Sequence, residues 1–248
     1  METSTLETLP SVAMKPYQRI SIAECHEPLV TLDRQTFCLV DPHPYAKLGA
    51  PYGDRSPFSV RQGVRDRLIQ AQQCLQQLKP GWRLQIFDAY RPIAVQQFMV
   101  DYTLQEVLAK QGWAIASLTE AQRTEALQRV YQFWAMPNPN PLTPPPHSTG
   151  AAIDLTLVDE RGQVVDMGSE IDELSPRSYP DHYVGVQDIA AERYDGHRQL
   201  LNYVMRQAGF QRHYHEWWHF SWGDQLWAWL SQRQDPSRTF VACYGRVA

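Results

Sequence analysis

His215-Glu216-Trp217-Trp218-His219, near the carboxyl end of the chain, is the stretch on which the interpretation of the fold depends. It matches the H-E-x-x-H pattern, in which one helix offers zinc two histidine ligands and carries a glutamate general base. A second interpretation uses only Glu216 as the base and His219 as a ligand, and takes the other ligands from elsewhere in the chain. The two interpretations predict different folds and different ligand sets.

The sequence around this stretch argues against a helix. Aromatic residues are frequent from Phe210 to Trp222, a composition that favours a strand, and Gly223 would end a helix almost at once. A helical zinc site also needs a third ligand, usually a histidine or glutamate further along the chain. Neither residue type occurs after His219, where only Asp224 and Asp235 remain. We therefore expect the missing ligands to lie upstream.

The segment HSTGAAID, from His147 to Asp154, is the strongest upstream candidate. It separates a histidine and an aspartate by a glycine-containing turn that leads into an apolar strand. An unpaired carboxylate in such a strand would be costly, which favours a metal partner for Asp154. Together with His219, these side chains would leave a fourth position open, as in catalytic zinc sites. Zinc lowers the pKa of water in that position to roughly 7, and Glu216 could act as general base on this metal-bound water.

The spacing of Glu216 and His219 sets a geometric condition on this interpretation. Residues three apart point to opposite faces of an ideal strand. We therefore expect Glu216 at a turn or bulge just before the strand that carries His219, or in locally irregular backbone. On the same interpretation, His215 is not a ligand.

The rest of the chain predicts helices and strands without a repeating β-α-β rhythm, which is typical of an α+β fold. Alternation from Trp82 to Phe87 and the apolar run from Ala151 to Val158 indicate strands. Predicted helices cover Val60 to Leu78, a segment after Pro92, a segment from a capping box at Ser117–Glu120 to Phe133, Ala190 to Gln207, and Asp224 to Gln232.

Composition narrows the classes of function for these 248 residues. The net charge of −4 argues against a nucleic-acid binder, and no apolar stretch is long enough to span a membrane. The amino terminus does not resemble a secretory signal. The four scattered cysteines predict free thiols and a cytoplasmic location, with a periplasmic one left open. We expect residues 1–40 to form an amino-terminal arm with short strands, such as one over Thr36–Val40, and residues 41–248 to form one catalytic domain; a homo-oligomer stays open.

Four motifs in order resemble one known family. H-x-x-G-x-A-x-D at 147–154 and E-W-W-H at 216–219 are similar to the D-alanyl-D-alanine dipeptidases, the VanX-type branch of the zinc D,D-peptidases, which share a fold with the hedgehog amino-terminal domain. D-A-Y-R-P at 88–92 and M-G-x-x-x-D at 167–172 extend the match, which covers most of the chain from about Tyr45 onward. The resemblance implies a single α+β domain whose central, mainly antiparallel sheet is flanked by helices.

The resemblance also implies a metal site and a reaction. One zinc ion per chain would be bound by His147, Asp154 and His219, with Glu216 as the base. The implied reaction is hydrolysis of the dipeptide D-Ala-D-Ala, a small-molecule substrate, with no nucleic-acid or membrane partner. Pro145 stands where the family often has a serine, so any substrate contact made by that hydroxyl is absent here.

Three further side chains receive roles through the resemblance, and each has a plainer alternative. Arg91 would stabilise the tetrahedral intermediate, or could pair with a surface acid. Asp172 would face the free ammonium group of the substrate, or could cap a helix. Tyr45 would lie near the same ammonium group, or could be ordinary loop packing.

Two alternative functions remain open from sequence. One is a D,D- or L,D-carboxypeptidase that acts on peptidoglycan. The other is a catalytically silent, hedgehog-like metal-binding domain, against which the presence of both Glu216 and Arg91 argues.

Overall fold

A five-stranded mixed sheet is the centre of the computed structural model, which describes residues 14–132 and 134–247. The strands are β1 (Leu29–Thr31), β2 (Cys38–Leu39), β3 (Ser59–Arg61), β4 (Arg83–Asp88), β5 (Ala152–Val158), β6 (Gln211–Arg212) and β7 (His219–Ser221). The α-helices are α1 (Pro44–Lys47), α2 (Gln62–Leu78), α3 (Ile93–Gln111), α4 (Glu120–Tyr131), α5 (Ile189–Gln207) and α6 (Gln225–Gln234). Residues 1–13 of the predicted arm and Phe133, at the end of one predicted helix, lie outside the described residues.

The main sheet has the strand order β2-β4-β5-β7-β6. β2 runs parallel to β4, and the other neighbouring pairs are antiparallel. β1 and β3 pair separately as a small antiparallel sheet. The predicted α+β class with a mainly antiparallel sheet and flanking helices is therefore confirmed. Both strands from the first forty residues pair with strands that come later in the chain.

Two apolar clusters surround the sheet. The larger one buries α2 and α5 against one sheet face, to which β5 contributes Ile153, Leu155 and Leu157. Residues two apart share a face of a strand, so Asp154 and Thr156 point the other way. The smaller cluster joins α3 and α4 around Trp134 and Tyr45. The predicted site residues lie between these two clusters, at one end of the central strands.

Two local predictions were wrong. Val60 belongs to β3, where it pairs with Val30 of β1, and α2 begins two residues later. The capping box of α4 is formed by Thr119 and Gln122 instead of Ser117 and Glu120. Two overlapping copies of the capping pattern occur here, and local sequence does not distinguish them.

The described residues include neither a membrane-spanning helix nor a disulfide. None of the helices there combines the length and the apolar composition that crossing a bilayer requires. Cys25, Cys38, Cys74 and Cys243 are all free thiols.

Candidate active site

The register of three strands aligns the first polar residues of the site. Asp154 of β5 lies opposite His219 of β7 on one side and opposite Asp88 of β4 on the other. A β-bulge after Ile86 adds one residue to β4, and this turns Asp88 to the face that carries Asp154. Without that extra residue, Phe87 would take its place. Asp88, Asp154 and His219 therefore form one row across the sheet.

His147 reaches this row from a 3₁₀ turn, Pro146–Thr149, that immediately precedes β5. The turn ends at Gly150, whose backbone φ is +70°, in the left-handed region that glycine tolerates best. An added Cβ at Gly150 would also clash with the side chain of Leu29. This local geometry brings His147 back over the start of the strand, beside Asp154.

Ligand atoms of His147, Asp154 and His219 converge, and all lie within 4.8 Å of one another. The distance between Nε2 of His147 and Nδ1 of His219 is 3.1 Å. Asp154 Oδ2 lies 3.2 Å from the first nitrogen, and its Oδ1 lies 3.0 Å from the second. All three side chains are buried.

Outer hydrogen bonds fix which nitrogen of each histidine faces the centre. Nδ1 of His147 lies 2.7 Å from the carbonyl oxygen of Ala89, which can only accept, so this nitrogen carries the proton. Nε2 of His219 faces the hydroxyl of Ser221 at 3.5 Å, and that hydroxyl donates to Asp224. His219 and Ser221 share a strand face, which makes this chain of contacts possible.

The donor atoms that face inward suit a cation. Two imidazole lone pairs and a carboxylate would repel one another without positive charge between them, and second-layer hydrogen bonds of this kind are typical of metal-binding histidines. Ligands about 2.0 Å from a tetrahedral zinc ion lie about 3.3 Å apart, close to the three distances given above. The residues present therefore fit a zinc ion.

Glu216 lies in the irregular segment between β6 and β7, three residues before His219. Of the two arrangements expected from the sequence, this is the locally irregular backbone. Its Oε2 is 3.7 Å from Nδ1 of His219, and its Oε1 is 3.6 Å from Nδ1 of His213. Burial, together with the charges of Asp154 and Asp172, raises the pKa of Glu216 well above its ordinary value.

His215 does not belong to the cluster. The H-E-x-x-H segment is not helical, and His215 is an exposed side chain that contacts the ring of Tyr179. His213 and His215 both line the pocket with Glu216 and His219, but the His213 side chain is the less exposed of the two and lies beside the Glu216 carboxylate. Burial and the nearby His219 hold the pKa of His213 well below its ordinary value, so the ring is neutral. His213 was given no role from sequence.

Arg91 is buried in the wall of the same pocket, so it does not pair with a surface acid. Its guanidinium donates to Asp88 at 2.9 Å, to Asp154 at 3.2 Å and to Gln96 at 3.1 Å. It also lies 3.3 Å from the hydroxyl of Tyr45. These partners fix the orientation of the cation beside the metal-ligand cluster.

Asp88 was given no role from sequence, although it is fully buried and holds Arg91. Its Oδ1 also accepts hydrogen bonds from His43 at 3.1 Å and Tyr52 at 2.9 Å. Burial opposes ionisation, but Arg91 and His43 more than offset it and lower the pKa of the Asp88 carboxyl. The signal that could have found Asp88 is its position in the D-A-Y-R-P motif, three residues before the arginine.

Asp172 and Tyr45 lie together at one side of the pocket. The Tyr45 hydroxyl donates to Oδ2 of Asp172 at 2.5 Å, and Tyr45 is buried. No helix begins at Glu173, so Asp172 is not a helix cap; it sits in a turn with φ of +64°. Burial, together with the charge of Asp154, raises the pKa of Asp172 to about 6.

Arg198 of α5 holds the loop that carries Asp172. This buried guanidinium donates to the carbonyl oxygens of Met167 at 2.7 Å, Tyr179 at 2.9 Å and Arg177 at 2.8 Å. The three carbonyls lie on both sides of Asp172 in sequence. Such a clamp keeps the turn at Asp172 in one conformation.

Comparison with known proteins gives matches over most of the chain. A model of the peptidase M15 family, described as D-ala-D-ala dipeptidase, matches residues 39–238. A D-alanyl-D-alanine dipeptidase from Synechocystis sp. is 52% identical over 240 residues, which cover 94% of this chain and 97% of the relative. The D-alanyl-D-alanine dipeptidase of Enterococcus faecalis is 28% identical over 148 residues, or 58% of this chain and 64% of the relative. A solved structure of VanYB in complex with D-alanine-D-alanine aligns with 88% of this chain and 87% of its own, at 14% identity and a TM-score of 0.46.

Proposed function

This chain belongs to the peptidase M15 family of D-Ala-D-Ala dipeptidases, and on that basis we propose that it hydrolyses the free dipeptide D-Ala-D-Ala with a bound zinc ion. The observation that carries the proposal is the convergence in one pocket of the His-Asp-His cluster, Glu216 and Asp172. A metal site, a proton acceptor and an anion for a free amine are the three features that a zinc dipeptidase of this kind would use.

Zinc would be held by His147, Asp154 and His219. When bound, it would polarise the scissile carbonyl group and make water reactive at neutral pH. The carbonyl oxygen of Ala89 and the hydroxyl of Ser221 keep the two imidazoles in the required tautomers.

Glu216 is proposed as the general base. Its carboxylate lies beside His219, where it can take a proton from the attacking water and deliver it to the leaving amine. A raised pKa suits this role because the carboxyl group must hold the proton between the two transfers. The neutral His213 ring stands on the other side of the carboxyl group and restricts its orientation.

Arg91 is proposed to stabilise the developing oxyanion. Because Asp88 and Gln96 already orient the guanidinium, little reorganisation is needed when negative charge appears on the substrate. A fixed cation of this kind can contribute several kcal/mol to the transition state.

Asp172 is proposed to bind the ammonium group of the substrate, with Tyr45 holding the carboxylate in place. This contact requires a free amine one residue before the scissile bond. When the amine is blocked, a desolvated carboxylate loses its partner, which is costly. Peptidoglycan pentapeptides should therefore be poor substrates.

A substrate panel tests the proposed function. For zinc-loaded enzyme, kcat/KM should be at least about 100-fold higher for D-Ala-D-Ala than for N-acetyl-D-Ala-D-Ala or a D-Ala-D-Ala-terminated pentapeptide. L-Ala-L-Ala serves as the stereochemical control. Equal rates on the free and blocked compounds would favour the carboxypeptidase alternative, and no turnover of any of them would favour the silent metal-binding domain.

Asp172→Asn should weaken substrate binding while it increases the stability of the folded protein. Asparagine also tolerates positive φ, so the turn can persist. The pKa of Asp172 is about 6 in the folded protein, above the ordinary value of 3.8. The protonated carboxyl group therefore contributes stability to the wild type that is fully present below about pH 3.8 and is lost as the pH rises through 6. At pH 7 the variant should be more stable by about 1 kcal/mol, given partial exposure, while KM for D-Ala-D-Ala rises about 10- to 100-fold.

Thermal unfolding and steady-state kinetics across the pH range check both parts of this prediction. The stability difference between wild type and variant should vanish below about pH 3, where the Asp172 carboxyl is protonated in both the folded and the unfolded wild type. In the wild type, KM should rise as the pH falls below about 6, and the variant should lack that rise. An unchanged KM in the variant would remove Asp172 from the substrate site.

A further inference from the structure

The amino-terminal segment supplies one wall of the proposed active site. Lys15 and Tyr17 line the same pocket as Glu216 and the three ligand residues. They flank the start of a 3₁₀ turn, Pro16–Arg19, that packs against α6. The side-chain amide of Gln225 in α6 donates to the carbonyl oxygen of Ile20 at 2.6 Å. This anchoring gives Lys15 a defined position instead of leaving it on a free end.

Lys15 differs from Arg91, the other cation of the pocket, in having no ionic partner among the described residues. Arg91 is held by two carboxylates, those of Asp88 and Asp154. Across the described residues 14–132 and 134–247, no carboxylate oxygen lies within 4.0 Å of the Lys15 ammonium group. Burial lowers the pKa of Lys15, while the charge of Glu216 opposes that change. A desolvated ammonium group without an ion pair is well suited to bind an anionic ligand.

Lys15 and Asp172 line the same pocket, and each also lines a second cleft that the other does not. Asp172 also lines a neighbouring groove together with Tyr45 and Trp134, in which Lys15 has no part. Lys15 also lines a second cleft with Tyr17 and Pro145, in which Asp172 has no part. The metal-ligand cluster and Glu216 belong to the central pocket that both side chains share. The pocket therefore places an anionic side chain, Asp172, and a cationic one, Lys15, in its wall together with the reacting groups.

A free dipeptide has the complementary distribution of charge. Its ammonium group and its carboxylate lie on either side of a single peptide bond, which must reach the reacting groups. We propose that Lys15 binds the C-terminal carboxylate of the substrate, an inference that rests on the proposed dipeptidase function. Pro145, in the wall beside Lys15, has no side-chain hydrogen-bond donor to do the same. Lys15 is thus a specificity residue that makes the enzyme select a free C-terminal acid.

A comparison of the free acid with its amide tests this role. For the zinc-loaded full-length wild type, kcat/KM should be about 10- to 100-fold higher for D-Ala-D-Ala than for D-alanyl-D-alaninamide. Lys15→Met keeps the apolar stem and removes the charge. It should lower kcat/KM for the acid by a similar factor, mainly through KM, and leave the amide nearly unchanged. Lys15→Arg should restore most of the preference, and Lys79→Met, which removes an exposed lysine that does not line the pocket, should behave as wild type.

The outcomes separate this inference from the function on which it rests. Turnover of D-Ala-D-Ala by the wild type with no preference for acid over amide would overturn the role of Lys15 and leave the dipeptidase function intact. Equal losses on acid and amide in Lys15→Met would likewise overturn it, because a structural defect affects both substrates. No turnover of either compound by the wild type would overturn both. The wild-type comparison decides the matter even if Lys15→Met fails to fold.

Discussion

Replacing Glu216 with alanine is expected to lower kcat for D-Ala-D-Ala by about 10²- to 10⁴-fold while zinc remains at one ion per chain. Glu216 contacts His219 without being part of the ligand cluster, so its removal takes away the proposed proton acceptor and spares the metal site. Steady-state kinetics and metal analysis of the same preparations measure the two effects. Glu192→Ala, which changes an exposed glutamate of α5, is the matched control.

Glu216→Gln refines this experiment. Glutamine keeps the volume of the side chain but cannot accept the proton. A loss of kcat similar to that of Glu216→Ala would assign the effect to proton transfer. Full activity in either variant would contradict the role of Glu216 as base. Wild type and variants that all bind zinc and all lack turnover would instead indicate the silent metal-binding domain.

The convergence of His147, Asp154 and His219 could be predicted because chemistry limited the choices. The lack of histidine and glutamate after His219 removed the usual partner of a helical H-E-x-x-H site. The apolar run around Asp154 made an unpaired carboxylate there costly, which directed attention to His147. The structure brings these three side chains together and leaves His215 exposed. Arguments from composition and desolvation thus pointed to three side chains that no single sequence motif contains.

The environment of Arg91 depends on features that sequence does not encode locally. Asp88 faces this arginine because of a one-residue bulge in β4, and the residue types at that position do not predict a bulge. The partners His43 and Tyr52 come from a loop and turn some forty residues earlier in the chain. Such contacts follow from register and packing, so they became visible only in the fold.

The position of Lys15 in the pocket could not be predicted from sequence either. The first forty residues were expected to form an arm with short strands, and their irregular sequence gave no reason to connect them with catalysis. The packing of the Pro16–Arg19 turn against α6 is a contact between distant parts of the chain. Long-range packing of this kind determines which irregular segments line a pocket.

The largest expected effect is a difference in zinc content between variants of the two alternative ligand sets, one with Asp154 and the other with His215. Asp154→Ala is expected to weaken zinc affinity by more than about 100-fold, so that the purified variant holds little metal, whereas His215→Ala retains one ion per chain. Asp154 places both of its oxygens against the inward-facing nitrogens of His147 and His219, while His215 is an exposed side chain of the pocket wall that packs against neighbouring rings. Metal analysis after dialysis, followed by zinc titration monitored through thermal stability, measures the difference.

Asp154 also accepts a hydrogen bond from Arg91, so its replacement by alanine leaves a buried cation without one partner. Asp154→Asn controls for this, because the amide oxygen can still accept from Arg91 while the charge that favours zinc is lost. Asn should therefore weaken zinc binding with a smaller loss of stability than alanine. His147→Ala should lose zinc as Asp154→Ala does, since both supply an inward-facing donor. Zinc retained in Asp154→Ala and lost in His215→Ala would reverse the assignment and restore the H-E-x-x-H site.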